Sequence, residues 1–412
     1  MLKFALLTLL LPASLLAQKF YDQEPINYES DLSPDSVSSY FAQTGNLKTW
    51  EHAGPSGYLR SFLDAFDIPV ESQVLVFSKT SLQADRISPQ TPRAIYFNDE
   101  MYVGWVPGGS ILEISVANPK VGTNFYTLNN DQQSPQLLRE TDDCLRCHGE
   151  SFTREVPGHV IRSVFPSESG HPIFKAGSRT VDHTTPFEKR WGGWIVTGTD
   201  QEHFGNKLYQ ETADGASISS HHILTNVPEN GYLAPSSDVV ALLVLEHQAH
   251  AHTLIAKLAI NTQRALHDQK ILDELLKREA PLSDSTIRRI KHTADELLSY
   301  LFFTDEARIP RIDLAPSNFA QAFQDDRPAD PHGRSLYQLR MNRRMFRYQL
   351  SYLVYSQAML QLPTEAQDYL WPELKRILNS DVNESGYTHI SQNQKRDILE
   401  ILLATHPRFQ AP

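Results

Sequence analysis

The chain is poor in sulfur. Its 412 residues include two cysteines and five methionines. Two cysteines cannot build the disulfide framework of a small secreted domain, nor both halves of a zinc ribbon. After Met1 the methionines are Met101, Met341, Met345 and Met359, so none lies between 101 and 341. Beyond the N-terminus no run approaches eighteen apolar residues, which argues against a membrane span in the mature chain. The 19 glycines form no phosphate-binding loop, because Gly104 and Gly108-Gly109 fall in a hairpin-like segment and not before a helix. Neither a Ser-His-Asp arrangement nor a zinc-protease motif occurs, and there is no internal repeat or low-complexity tract. The formal charge of −11 leaves no overall field for nucleic acid or anionic lipid.

What is present is concentrated in five residues, Cys144-Leu145-Arg146-Cys147-His148, which use both cysteines. This is the Cys-x-x-Cys-His pattern of covalent c-type haem attachment. Two cysteines placed at random would take this spacing, followed by one of the 16 histidines, roughly twice in ten thousand chains. Each position has a chemical role. The thiols of Cys144 and Cys147 add across the two porphyrin vinyl groups as thioethers, and one helical turn gives them the right separation. His148 is carried beneath the ring as proximal axial ligand to iron. A thioredoxin-like dithiol shares the Cys-x-x-Cys spacing but normally opens a helix after a buried strand and has no required use for the histidine. A disulfide across two intervening residues is strained. The expected cofactor is one covalently bound haem c per chain.

The N-terminus agrees with that chemistry. Met1-Leu2-Lys3 carries positive charge, Phe4 to Leu16 is mostly apolar, and Ala17 precedes the polar Gln18-Lys19. This reads as an export signal over 1–17. Covalent haem attachment occurs on the outer side of the bacterial inner membrane, so the expected location is periplasmic or otherwise exported, with a soluble mature protein.

The remaining chain reads as α+β in three parts. Residues 18–72 are irregular with short helices, including one that starts at Ser33-Pro34-Asp35-Ser36. From 73 to 210 a β-rich domain is expected, with strands at 73–77, 94–97, 101–106, 111–116 and 124–128. Turn-forming residues separate them, in the manner of an antiparallel meander. A helix over Pro135–Glu140 would lead into the motif, and further strands are expected at 159–165 and 191–197. From 236 to 412 the pattern is helical. Helices open at Ser237-Asp238 and Ser283-Asp284, a long one runs from just after Gly333 to Leu360, and two follow Pro363 and Ser391. The expected architecture is thus an antiparallel sheet domain carrying the motif, followed by a helical bundle. It is not the small all-helical cytochrome c fold.

In Ser78-Lys79-Thr80-Ser81-Leu82, Thr91-Pro92-Arg93-Ala94-Ile95-Tyr96-Phe97, Asp143-Cys144-Leu145-Arg146-Cys147-His148-Gly149 and Arg190-Trp191-Gly192-Gly193-Trp194, the chain resembles a family of exported, single-haem c-type cytochromes. A looser likeness is to sensor-type, PAS-like sheet domains that carry c-haem before a last strand. The resemblance implies a haem protein and leaves its specific role open.

Without a nearby methionine, the sixth iron ligand must come from elsewhere. His183 is the favoured distal candidate, because Asp182, Thr184 and Thr185 are placed to orient its ring. His159 and His203 are alternatives, and Glu246-His247, His250 and His252 form a helical cluster that would serve a distal ligand, a separate metal or a domain junction. Propionate partners are sought among Arg154, Arg162, Lys189 and Arg190, with Arg343, Arg344 and Arg347 as further cations. Trp191 and Trp194 should face opposite sides of a strand. The leading function is electron transfer through a single haem iron with an unidentified redox partner protein, a role without enzymatic turnover. The alternative is a haem-based gas or redox sensor, or a haem enzyme, with an open distal position.

Overall fold

In the computed structural model, residues 19–43, 45–131, 134–212, 218–224, 226–228, 231–381 and 387–410 are described. The expected export signal at 1–17 lies outside them. Asp35 caps helix α1 (Ser36–Ala42), accepting from the Ser38 amide at 2.8 Å, and α2 spans Leu59–Ala65. Strands β1 (Val74–Val76), β2 (Arg93–Phe97), β3 (Met101–Trp105), β4 (Ile111–Asn118) and β5 (Gly122–Asn129) follow the expected segments closely.

The next segment departs from expectation. Leu137–Glu140 is strand β6, not a helix, and pairs with β5 from Phe125↔Glu140 to Leu128↔Leu137. Six residues beginning with a proline are too few to sustain a helix unaided, and the open edge of β5 offers a full ladder of backbone partners instead. The motif forms a single turn, α3 (Leu145–His148). The expected strand at 159–165 shrinks to β7 (Arg162–Val164), which pairs with β8 (Ser178–Thr180) outside the main sheet. At 191–197 only β9 (Trp194–Ile195) is extended; it pairs with β1 and completes a seven-stranded antiparallel sheet in the order β6-β5-β4-β3-β2-β1-β9. Trp191 has φ +66° and stands outside the strand, so the strict alternation expected of Trp191 and Trp194 fails and both are buried in the same core. Strands β10 (Lys207–Glu211) and β11 (Ile218–Ile223) form a separate ribbon.

Helix α4 (Val239–Leu275) begins at the Asp238 cap, and its 37 residues extend about 55 Å. Every side chain from Val239 to Ala249 is buried, the signature of a helix enclosed on all sides. Among the described residues it is the one helix long and apolar enough to cross a membrane, and 94% of its most apolar window is buried inside the molecule. Helices α5 (Asp284–Leu301) and α6 (Asn318–Gln324) follow, each capped by a serine.

The long helix expected from just after Gly333 to Leu360 is absent. In its place are the hairpin β12 (Leu339–Asn342) and β13 (Arg344–Phe346), a 3-10 turn at Tyr352–Tyr355 and the short α7 (Gln357–Leu360). Tyr337, Leu339 and Met341 are buried while Arg340 and Asn342 are exposed, a period of two and not of 3.6. The lack of glycine and proline in this stretch masks that alternation. Helices α8 (Thr364–Asn379) and α9 (Gln392–Thr405) close the chain as expected.

The two halves share a core. Val74, Val76, Phe97 and Tyr102 of the sheet belong to the same buried cluster as α4, α5 and α8. A second cluster, including Leu112, Ile114, Val116, Tyr126 and Leu128, covers the opposite sheet face against α1 and α2.

Candidate functional site

Register places the site. Cross-strand pairing aligns Tyr102 with Ser115, Ser115 with Phe125 and Phe125 with Glu140; one rung over, it aligns Gly104 with Glu113 and Glu113 with Thr127. Directly paired residues share a sheet face, so this face is polar, whereas its reverse carries Leu112, Ile114 and Val116. Burial along β4 alternates accordingly, with Glu113 and Ser115 half-buried and their neighbours enclosed. Arg93 joins Glu113 in a half-buried ion pair at 2.6 Å, and Thr127 donates to Glu140 at 2.7 Å.

The Cys-x-x-Cys-His turn lies against this face. Leu145 and Cys144 pack with Tyr21, Tyr28, Phe125, Val156, Ala256 and Ile260. Cys147 is exposed and Cys144 half-buried. Burial, reinforced by Glu140, Glu113 and Asp143, pushes the Cys144 thiol up to about 12. A reactive redox dithiol needs a lowered thiol pKa in an electropositive setting, and Cys144 has the opposite surroundings.

His148 is held by two bonds to one residue. The Gly158 amide donates to the His148 carbonyl at 2.8 Å, and His148 Nδ1 lies 2.9 Å from the Gly158 carbonyl oxygen. A carbonyl only accepts, so Nδ1 carries the proton and Nε2 keeps the lone pair. No described residue hydrogen-bonds Nε2. The ring packs on Phe125 with centroids 5.1 Å apart, and burial lowers its pKa below 6.5, favouring the neutral imidazole. Helix α4 fixes this geometry from behind. Thr253 Oγ1 accepts from the His159 amide at 2.9 Å and donates to the His159 carbonyl at 2.8 Å, clamping the backbone just after Gly158. A Cβ at Gly158 would come 2.7 Å from that hydroxyl, and one at Gly122 would come 2.5 Å from the Pro157 carbonyl; both positions require glycine.

The haem expected from the motif would be held by residues whose chemistry suits it. The two thiols sit on the same turn, and His148 presents a neutral, correctly tautomerised Nε2 with its other nitrogen anchored to a carbonyl, the usual outer partner of a metal-bound histidine. Among the described residues no group of three or more His, Cys, Asp or Glu side chains is arranged to hold a metal ion.

The other histidines divide into two groups. His159 belongs beside the motif: the Phe125 ring lies 6.3 Å from it, its Nε2 meets Ser115 Oγ at 3.0 Å, and its Nδ1 is buried without a hydrogen-bond partner. His252 reaches the same neighbourhood from α4, with Nδ1 2.9 Å from the Tyr102 hydroxyl. Burial holds His159 well below the ordinary imidazole range and His252 down to about 4.

His183 belongs to the other group. It is fully buried, with Nδ1 2.8 Å from His247 Nδ1 and its ring stacked 4.0 Å from that of Tyr300. His247 continues to Ser351 Oγ at 2.7 Å. Arg190 pairs with Glu246 at 2.8 Å, both fully enclosed, and donates to the carbonyls of Thr185 and His183. No described contact joins this cluster to His148, so the favoured distal candidate and the motif residues occupy different clusters. His203 packs edge-on against Trp191, and His250 lies 3.8 Å from Asp182.

The cations expected for propionates are largely engaged: Arg190 with Glu246, Arg154 with Glu296, and Arg162 on the face of Phe152. Arg343 and Arg344 lie in the β12–β13 hairpin, and the Arg347 guanidinium lies over Tyr348. Sequence reasoning missed Arg93, Glu113, Phe125, Gly158 and Thr253. Register would have placed the first three on one face; Gly158 lies ten residues from His148 but no periodicity marks it, and Thr253 reaches His159 across 94 residues.

No protein-family model, curated protein or solved structure matches this chain. What the fold itself defines is an α+β protein in which a seven-stranded antiparallel sheet packs on a helical C-terminal part.

Proposed function

We propose that this chain is an exported c-type haem protein, with one haem joined to Cys144 and Cys147 and ligated by His148, and that it transfers electrons in the periplasm. The observation that carries the reading is the His148–Gly158 bond, which leaves Nε2 as the free lone pair beside two cysteines on one turn. When bound, the haem supplies a one-electron ferrous–ferric couple. The chain's own residues orient the imidazole, keep it neutral and surround it with the Phe125 ring and the Arg93–Glu113 pair. We also propose His159 as the distal candidate in preference to His183, because its buried, unpartnered Nδ1 lies in the motif's own neighbourhood. A sensor or enzyme reading requires an open distal position.

Visible spectra of the purified ferric and ferrous protein, with and without carbon monoxide, separate these readings. Electron transfer predicts a low-spin spectrum unchanged by carbon monoxide in the wild type and a gas-binding, high-spin one in His159→Ala. A wild type that is already high-spin and binds the gas would refute electron transfer between two protein ligands and favour the sensor or enzyme.

A further inference from the structure

The segment from Phe303 to Arg308 that follows α5, the β12–β13 hairpin, Gln349 and the Thr388–His389 segment surround a cavity of about 670 Å³, within the usual range for a small-molecule site. None of its lining residues belongs to the motif or to the sheet face beside it, so the cavity is independent of the haem. Four arginines line it, Arg308, Arg340, Arg343 and Arg344, against two carboxylates, Asp305 and Glu306. In a chain of net charge −11 this is a local concentration of the opposite sign. The side chains of Arg308, Arg340 and Arg343 make no ion pair or hydrogen bond with any described residue, while that of Arg344 donates only to the His389 carbonyl, at 3.1 Å. Structural arginines normally have carboxylate partners, as Arg334 does in Asp330, Asp397 and Glu400.

The backbone holds these cations in place. Met341 and Arg343 adopt φ of +43° and +64°, left-handed values that non-glycine residues seldom take. Antiparallel bonding of Arg343 to Ile309 then fixes the hairpin beside Arg308, with the Arg343 amide donating to the Ile309 carbonyl at 3.1 Å. Strained residues held by surrounding structure concentrate at binding sites.

Two further atoms point to a ligand with more than an oxyanion. Gln349 is 1% exposed and lines the cavity, and its Oε1 has no hydrogen-bond partner. Glu306 Oε1 accepts from the Met345 amide at 2.7 Å, while its buried Oε2 is unpartnered. Burial pushes the Glu306 carboxyl up to about 7, so near neutrality a large share of it is protonated and can donate to an oxyanion instead of repelling it.

We propose that this cavity binds a small soluble organic phosphate, its phosphoryl oxygens gripped by Arg308, Arg340, Arg343 and Arg344 and a hydroxyl donating to Gln349 Oε1. Guanidinium groups present paired donors that match phosphoryl oxygens, and the cavity has room for a sugar-sized remainder. An inorganic phosphate ion satisfies the arginines alone.

Titration calorimetry on the purified full chain tests this with glucose 6-phosphate and inorganic phosphate as probes. The expected result is saturable binding of one glucose 6-phosphate per chain, tighter than inorganic phosphate. It should weaken by about tenfold or more in Arg340→Ala/Arg343→Ala with the thermal midpoint retained. Should that double variant fail to fold, Arg308→Glu, at an exposed position, should produce the same loss. Absence of saturable binding up to about 10 mM at low salt, or affinity unchanged by these substitutions, would overturn the proposal. Inorganic phosphate binding as tightly as the ester would overturn the organic assignment. Arginine-dependent sedimentation with phosphatidylglycerol vesicles, without binding of the soluble ester, would overturn the small-molecule assignment in favour of a lipid headgroup.

Discussion

Of the two ring nitrogens of His148, Nδ1 is hydrogen-bonded and Nε2 has no partner among the described residues, and that difference carries most of the site's chemistry. Nδ1 is tied to the Gly158 carbonyl, and the loop bearing Gly158 is tied to α4 through Thr253. Thr253→Val keeps the shape of the side chain and removes both hydroxyl bonds to His159. It is expected to cost about 1–3 kcal/mol in urea denaturation and to shift the haem midpoint potential, because the orienting carbonyl moves with the loop. An unchanged potential would show that α4 does not orient the ligand. The pH response follows from burial. Because burial holds the folded imidazole pKa below 6.5, His148 should stay neutral to a lower pH than an ordinary histidine. Axial ligation is therefore expected to persist below pH 6.5, and a visible-absorbance titration in which it is lost at or above that value would contradict this.

At the scale of elements, α4 joins the two halves by carrying Glu246, His247, His252 and Thr253 into contact with the segments beside the sheet. Burial raises the Glu246 carboxyl and Arg190 opposes that. Removing one member leaves the other charged and enclosed, so Glu246→Leu should destabilise by about 3–5 kcal/mol. Combining it with Arg190→Met should recover part of the loss, as a double-mutant cycle in denaturant would show; additive losses would mean that the two charges do not interact. His252 titrates in the unfolded chain near 6.5 and in the folded protein at about 4. The unfolded state thus binds more protons between those values, and the stability His252 lends is complete above 6.5 and lost as pH falls toward 4. The gap in thermal midpoint between wild type and His252→Gln should therefore shrink over that window. Much of this architecture is legible from sequence. The five meander strands and the helices capped by Asp35, Asp238, Ser283 and Ser391 announce themselves through local periodicity and capping chemistry. Strand β6 is not legible because an edge supplied by β5 decides it, and residues 333–360 are not because their period-two pattern, unbroken by glycine or proline, mimics one long helix. The distal histidine is also hidden. Asp182 and the threonines order the local turn around His183, but whether the ring reaches the motif depends on how α4 and α5 pack, which no local pattern records.

At the scale of the whole molecule, one hydrophobic cluster crosses the boundary that composition suggests between residues 210 and 236. The helical part thus acts as the wall that encloses His252, Thr253 and the Arg190–Glu246 pair, and the sheet part presents the polar face to the motif. Such a division suits a redox carrier, whose potential is set by burial and hydrogen bonding around a fixed ligand. Covalent haem at Cys144 and Cys147 is the central claim, and denaturing mass spectrometry of the full chain, produced with a c-type haem maturation system, tests it most directly. The expected result is a species heavier by the mass of one haem that survives acid and organic extraction, and its complete loss in Cys144→Ala/Cys147→Ala. A chain that carries no haem, or haem that extracts freely from the wild type, would contradict it.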